Sequence, residues 1–346
     1  MIWTRSHVIN SPMMKTAPHC PLSDHRHRVI SYLRVSVTDR CNLRCRYCMT
    51  SHTRWLPKGH ILTLEEIHRM VRIAVGLGIT KVRLTGGEPL YRKGIVGLVQ
   101  KLAAEPGIED LSMTTNGTLL AEKASALKAA GLKRINISLD TTDPQGFAEL
   151  TGRDLFSAVW QGIMTAREVG FTPIKINAVV LRGCNDDQIE ALADLSRRYP
   201  FHVRFIEYMP IATDPHEAEH FFFPITEIAQ RLEKMGRLLP VAHERLDGPA
   251  QRYRFADAPG EIGLIGSMSS HFCDTCNRMR LTADGHLRPC LLSDEEVNVI
   301  DALRQGAGDE EIAAIYARAV AMKKGHHRLS FTGDCSLRTK MASIGG

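Results

Sequence analysis

From residue 27 onward the chain alternates short stretches of period-two hydrophobicity with longer stretches of helical period. Leu33–Asp39, Lys81–Thr85, Asp110–Thr115, Arg134–Asp140, Ile174–Leu181 and Phe201–Tyr208 read as strands. Helices are predicted between them: Thr63 to Gly76/Gly78, a second through about Ala103, then Ala121–Ala130, Phe156–Val169 and Gln188–Arg198. The first is the best marked. Thr63 stands as an N-cap with Glu66 three residues on, a capping box, and Ile67, Val71, Ala74 and Val75 continue one apolar face until the glycines stop it. Six strand–helix units in succession imply a parallel sheet or barrel. No period of identical residues points to a solenoid.

The strands carry a second pattern. Parallel strands covered on both faces are almost continuously apolar. Here every second residue is polar: Arg34/Ser36/Thr38, Arg83/Thr85, Ser112/Thr114, Asn136/Ser138/Asp140 and Lys175/Asn177. With period two, each set lies on one face, leaving Val35/Val37, Val82/Leu84 and Ile135/Ile137/Leu139 to pack against helices. The polar face is expected to line a cavity rather than bulk solvent, and its cations Arg34, Arg83 and Lys175 suit a polyanion.

The ends of the chain lack this rhythm. Residues 1–26 carry His, Pro and Ser without periodicity and are assigned to a mobile tail. Residues 210–225 are expected to be a loop or crossover, followed by a helix, Ile225–Lys234. From about 240 short strands take over, Gln251–Phe255 and Glu261–Ile265, and a helix, Asp309–Val320, precedes the C-terminal tail. The expected division is therefore a tail (1–26), a barrel domain (27–240) and a C-terminal domain (241–346).

The bulk composition narrows the class without fixing it. The 346 residues are 44% hydrophobic and 24% charged, ordinary for a globular chain with ample core. No apolar run approaches the roughly 18 residues that would span a membrane, and the N-terminus lacks an apolar targeting segment, so the expected location is the cytoplasm with no membrane partner. The net charge of +6 comes without a Lys/Arg block, so a dedicated nucleic-acid tail is not expected. The nine cysteines fall into two triplets, Cys41/Cys45/Cys48 and Cys273/Cys276/Cys290, plus Cys20, Cys184 and Cys335. In a reducing compartment such triplets point to metal, and the singles to ordinary buried thiols.

Each triplet is one thiolate short of a closed tetrahedral site. A zinc knuckle completed by a distant His or Cys is one reading; at the second triplet His271 or His286 could complete it. An iron–sulfur cluster with one iron open to a ligand is the other. Context separates them. Cys41-x3-Cys45-x2-Cys48 follows a polar-faced strand and contains Tyr47, and Thr85-Gly86-Gly87-Glu88-Pro89 sits at the end of the next strand. The glycines expose backbone to a close ligand, and Glu88 could accept from an ammonium. Beyond Cys276, Arg278 and Arg280 are alternate residues whose guanidinium forks would point one way, toward phosphate or carboxylate.

These residues resemble the radical S-adenosylmethionine superfamily and, within it, the GTP 3′,8-cyclase family of molybdenum cofactor biosynthesis. The carriers are residues 33–49, Val82–Leu90, Thr114–Gly117, Ile135–Asp140, Arg204–Met209, the second triplet with Arg278/Arg280, and the terminal Gly345-Gly346. The resemblance covers about residues 30–346, departing at 210–220. It implies an incomplete (β/α)6 TIM-like barrel (α/β class) with a C-terminal α+β lobe carrying an auxiliary cluster. Two [4Fe–4S] clusters are implied, on Cys41, Cys45, Cys48 and on Cys273, Cys276, Cys290. S-adenosylmethionine would contact Tyr47, Gly87, Glu88, Ser138 and Met209, and GTP would contact Arg34, Arg83, Thr114, Lys175, Arg278 and Arg280. Arg278, Arg280 and the Gly345-Gly346 tail are the implied catalytic group. A 5′-deoxyadenosyl radical would take the ribose C3′ hydrogen before C3′ attacks guanine C8. A homodimer, an electron donor and a downstream pterin-forming enzyme are implied as partners. The rivals are a peptide-maturing enzyme of the same superfamily and a zinc-stabilised nucleotide- or nucleic-acid-binding protein.

Overall fold

The computed structural model describes residues 21–49, 55–211, 215–327, 329–331, 337 and 341–345. One sheet of twelve strands organises it. In chain order these are β1 (Tyr32–Ser36), β2 (Lys81–Thr85), β3 (Asp110–Thr115), β4 (Arg134–Ser138), β5 (Ile174–Val180), β6 (Phe201–Glu207), β7 (Leu238–Pro240), β8 (Gln251–Phe255), β9 (Glu261–Ile265), β10 (Arg278–Leu281), β11 (His286–Arg288) and β12 (Val297–Asn298). The helices are α1 (Leu64–Gly76), α2 (Ile95–Ala103), α3 (Leu120–Ala129), α4 (Pro144–Thr151), α5 (Phe156–Glu168), α6 (Ile189–Arg198), α7 (Pro215–Phe221), α8 (Ile225–Met235), α9 (Ile300–Arg304), α10 (Asp309–Ala321) and α11 (Met341–Ile344).

The sheet order is β12-β11-β10-β1-β2-β3-β4-β5-β6-β9-β8-β7. β1 to β6 run parallel in sequence order, as strand–helix units require, because a parallel connection needs a crossover. The barrel is not closed: its two outermost strands are β12 and β7. The C-terminal strands continue the same sheet, β10 pairing parallel to β1 and β9 parallel to β6, so both open edges of the barrel are covered.

Local chemistry accounts for these elements. The capping box of α1 is present, Glu66 N donating to Thr63 Oγ1 over 3.1 Å and Thr63 N to Glu66 Oε2 over 2.7 Å. Ile67, Met70, Val71 and Ala74 bury the helix face, and the chain turns at Gly78, which has φ +96°. Val35, Val82, Leu84, Ile135 and Ile137 are fully buried against the helical layer. Each such side chain contributes about 1.5–3 kcal/mol on transfer from water.

Two expectations change. Residues 210–225 are not simply a loop, because α7 forms within them, with Pro215 at its first position, where a missing N–H costs nothing. Residues 21–26, assigned to the tail, run against the barrel: Leu22 is buried, and a buried Arg28–Asp24 ion pair of 2.6 Å closes a turn there. Residues 1–20 lie outside the described residues.

Candidate active site

The polar faces of the strands open on a cavity of about 310 Å³. Cys41, Cys45, Cys48, Cys273, Cys276 and Cys290 all line it. The two triplets, more than two hundred residues apart in sequence, therefore meet in one space because β10 pairs with β1. All six are free thiols. Among the described residues no three His, Cys, Asp or Glu side chains converge on a single metal ion.

The first triplet is carried by the loop that leaves β1. Cys48 N and Met49 N both donate to Cys45 O over 3.0 Å, which folds the loop back on itself. Arg44 N and Arg46 N donate to Thr151 O and Leu150 O over 2.7 and 3.0 Å, tying it to the end of α4. Asn116 Nδ2 reaches Cys41 Sγ at 3.6 Å. Burial pushes the Cys48 thiol up to about 12 and Cys45 well above its ordinary range, each also raised by the neighbouring thiols. Three thiols on one short loop facing the cavity are a soft donor set that suits a thiolate-bound iron–sulfur cluster.

The Gly86-Gly87 turn presses directly on this loop. Gly87 N donates to Thr38 O over 2.7 Å, and Glu88 N to Arg40 O over 2.8 Å. A Cβ on Gly87 would stand 2.4 Å from Arg40 O and 2.5 Å from Asp39 O, so no other residue fits. Glu88 does not line the cavity. Its carboxyl is fully buried and already accepts from Leu90 N (2.8 Å), Thr115 Oγ1 (2.7 Å) and Asn116 N (2.7 Å), tying the turn to the end of β3. Burial raises it to about 7 despite these donors.

Tyr47, Gly87, Ser138 and Met209 line the same cavity, Met209 packing in the cluster that includes Cys290. Tyr47 Oη donates to Asp140 Oδ2 over 2.7 Å, while Val179 N donates to Asp140 Oδ1 over 2.9 Å. Burial and the adjacent Asp140 hold the phenol well above its ordinary pKa, so it stays a donor.

The remaining wall is cationic. Arg34, Arg83, Arg278 and Arg280 line it, with Thr114 on the next strand, β3. Pairing across the sheet sets Arg34 opposite both Arg83 and Arg280. Burial first, with the adjacent Arg83 and Arg278, lowers Arg34 to about 10 although Tyr32 opposes the shift. Thr114 Oγ1 and Asn177 Oδ1 are buried, line the cavity and have no hydrogen-bond partner among the described residues, so the wall suits a polar occupant. Lys175 stands behind this wall. It is 4% exposed and does not line the cavity; burial first, then Arg204, Arg134 and Arg83, pull it down to about 6.

The second triplet flanks β10 and β11. Cys276 N donates to Cys273 O over 3.1 Å, and Lys323 Nζ donates to Arg278 O (2.8 Å) and Pro289 O (2.6 Å). Burial raises the Cys276 thiol, but Arg278 and Lys323 more than offset it and bring it down to about 6. The two candidate zinc histidines are engaged elsewhere. His271 Nδ1 lies 2.9 Å from His327 Nε2, and His286 lies 3.3 Å from Asp284 and 3.9 Å from Glu296.

The C-terminus enters from this side. Arg280 Nη1 donates to Gly345 O, and Met341 lines the cavity. Gly345 has φ +81°, and a Cβ there would lie 2.6 Å from Thr85 Oγ1. Gly346 lies outside the described residues, as do Cys20 and Cys335. Cys184 packs near Tyr47 but does not line the cavity.

Sequence reasoning placed Asp140 on the polar face, where it lines the cavity, but missed Arg204. Arg204 lines the cavity on β6, opposite Asn177 in register, and Gly263 gives it room, since a Cβ there would stand 2.9 Å from Arg204 Cγ. The signal was the same period-two alternation, one strand further on.

A partial barrel with a thiolate triplet at a strand end, a glycine turn on the next strand and a cation-lined interior defines a radical S-adenosylmethionine enzyme. Residues 35–196 match the family model described as the radical SAM superfamily, and residues 201–329 match that described as Molybdenum Cofactor Synthesis C. The fold is similar to that of Streptococcus suis SuiB bound to S-adenosylmethionine, with a TM-score of 0.58 at 17% identity over 89% of this chain and 77% of that one. The chain belongs to the GTP 3′,8-cyclase family. It is 48% identical to the GTP 3′,8-cyclase of Pelotomaculum thermopropionicum over 94% of this chain and all of that one. It is 49% identical to that of Moorella thermoacetica over 89% of this chain and 95% of that one.

Proposed function

We propose that the chain converts GTP to 3′,8-cyclo-7,8-dihydro-GTP in molybdenum cofactor biosynthesis. The observation that carries this reading is the single cavity in which both cysteine triplets face Arg34, Arg83, Arg204, Arg278 and Arg280. S-adenosylmethionine on a [4Fe–4S] cluster held by Cys41, Cys45 and Cys48 supplies hydrogen-atom abstraction. Gly87 offers close backbone to that cofactor, Tyr47, Ser138 and Met209 border it, and Glu88 fixes the turn that presents Gly87. Cys273, Cys276 and Cys290 would hold the second [4Fe–4S] cluster, with Arg278 and Arg280 orienting GTP beside it.

Arg34, Arg83 and Arg204 neutralise the triphosphate, Lys175 adds charge from behind them, and Thr114 offers its unpaired hydroxyl. The hydrogen leaves ribose C3′, the C3′–C8 bond forms, and one electron and one proton complete the 7,8-dihydro product. The buried walls exclude water that would quench a carbon radical. The tail, seated on Arg280 through Gly345, closes the site. On this reading residues 27–240 form the barrel domain and 241–346 the substrate domain, in a cytoplasmic enzyme that works as a homodimer, takes electrons from a donor protein and hands its product to a pterin-forming enzyme.

Anaerobic incubation with GTP, S-adenosylmethionine and dithionite tests the reading. It should yield 5′-deoxyadenosine and a GTP-derived cyclic product. Deoxyadenosine without loss of GTP would keep the superfamily and reject the substrate.

A further inference from the structure

The surfaces outside the two cysteine loops are charged in different ways. Over the second, charges are paired: Arg26 lies 3.2 Å from Asp274, His326 3.7 Å from the same carboxylate, and Lys324 2.6 Å from Glu295. Around the first, Arg40, Arg44, Arg46, Arg92, Lys93 and Arg153 make no ion pair among the described residues.

These cations form one collar. Arg46 and Arg44 are exposed on the cysteine loop itself, and the Arg44 Cβ lies 3.2 Å from the position of a Cβ on Gly152, which sets exposed Arg153 beside it. On the other flank Arg40 precedes Cys41, and its carbonyl holds Glu88 N over 2.8 Å. That places Arg92 near it: burial first, then the Arg40 guanidinium, lowers Arg92, with Asp39 and Glu65 opposing. Two aromatic rings accompany the charges. Tyr91 is 56% exposed, and Trp55 lies beneath the Arg44 guanidinium at 5.1 Å. The acids nearby are buried Asp39, Glu65 (3.7 Å from Lys101), Glu149 and Asp154, exposed at the end of α4, and Asp186 beyond Cys184; Asp39 and Glu65 act on Arg92, but none makes an ion pair with a collar cation among the described residues.

Unpaired cations held side by side repel one another, and a surface that keeps them gains from an anionic partner. The collar lies on and to either side of the loop whose thiols line the cavity, so anything docked on it comes close to the centre those thiols would hold. We infer that this collar is the docking face for an acidic one-electron donor protein, a low-potential flavin or iron–sulfur protein. In the transfer the reduced donor loses one electron and the centre bound by Cys41, Cys45 and Cys48 gains it. The inference rests on that cluster and not on the identity of the substrate.

Lys93→Glu/Arg153→Glu tests it, because both side chains are exposed and lie outside the cysteine loop. The probe is a purified acidic flavodoxin, with its association to the anaerobically reconstituted full chain measured by titration at low and high salt. The double variant should bind at least about tenfold more weakly and lose most of the salt dependence. It should keep its iron and its dithionite-driven deoxyadenosine formation. Unchanged association, or an equal loss of dithionite-driven cleavage, overturns the proposal, as would a short DNA duplex binding the collar more tightly than flavodoxin. If GTP were not the substrate, the cyclic product would be missing while the association still read out.

Discussion

The first and second cysteine triplets are each one thiolate short of a closed site, yet the protein surrounds them in opposite ways. The first lies among backbone. Glycines press on it, its loop is pinned to α4, and burial drives Cys45 and Cys48 upward. The second lies among cations, where Arg278 and Lys323 bring Cys276 down to about 6. The contrast fits the two ligands that the proposed function assigns to them. Exposed backbone beside a glycine turn suits a zwitterionic cofactor with amino and carboxylate groups. Arginine forks beside the other triplet suit an anionic nucleotide.

Substituting one cysteine in each loop should break this symmetry most visibly. Cys45→Ser should abolish deoxyadenosine formation altogether. Cys276→Ser should keep deoxyadenosine formation and abolish the cyclic product, because abstraction would proceed without a correctly held guanine. Each change should remove about four irons per chain, read by chemical iron analysis and absorbance. If Cys276→Ser also stopped deoxyadenosine formation, the two loops would not have separate tasks.

Arg278→Ala/Arg280→Ala sharpens the same division without touching a metal ligand. Truncating a buried hydrogen-bonded charge costs about 2–5 kcal/mol. GTP affinity should therefore fall by more than about tenfold in equilibrium titration, with S-adenosylmethionine affinity unchanged. Loss of both affinities together would mean that the arginines hold the cavity open rather than hold GTP.

Gly345→Val should have a smaller effect at the same wall. A Cβ there meets Thr85 Oγ1 at 2.6 Å, and φ is +81°. Backbone strain of this kind costs about 1–3 kcal/mol, enough to unseat the tail from Arg280 rather than unfold the chain. Product formation should fall roughly tenfold at an unchanged melting temperature. An equal fall in melting temperature would reduce the tail to a structural plug.

How legible this arrangement was depended on the range of the interactions that build it. The six barrel strands and the polar face on Arg34, Arg83, Thr114 and Ser138 follow from local alternation, and register then places them on one wall. What required the fold was long-range pairing. The register that sets Arg34 beside Arg280 joins residues from opposite ends of the chain and has no local mark. Period two gives a face but not a depth, which is why Lys175 shares the pattern of the wall while sitting behind it. Glu88 shows the same limit: a carboxylate after two glycines can meet an ammonium, but here three donors hold it inside the turn. The α7 helix had its mark, a proline at the first helical position, within a polar segment that otherwise reads as loop.

The smallest expected effect concerns depth, and it separates the two sides of the cavity once more. Lys175, brought to about 6 by burial and by the arginines in front of it, is mostly neutral at pH 7.5. A triphosphate placed against those arginines would favour its charged form, so binding should draw a proton onto Lys175. GTP affinity then falls as pH rises above about 6, by at most tenfold per pH unit, because one proton is linked. Calorimetry in two buffers of different ionisation enthalpy would read this as net proton uptake. Lys175→Arg stays charged throughout and should bind with a flatter pH profile, and titration of the phosphate itself, common to both proteins, cancels in the difference. Matching profiles would mean that Lys175 stays neutral in the complex and that the arginines alone meet the phosphates.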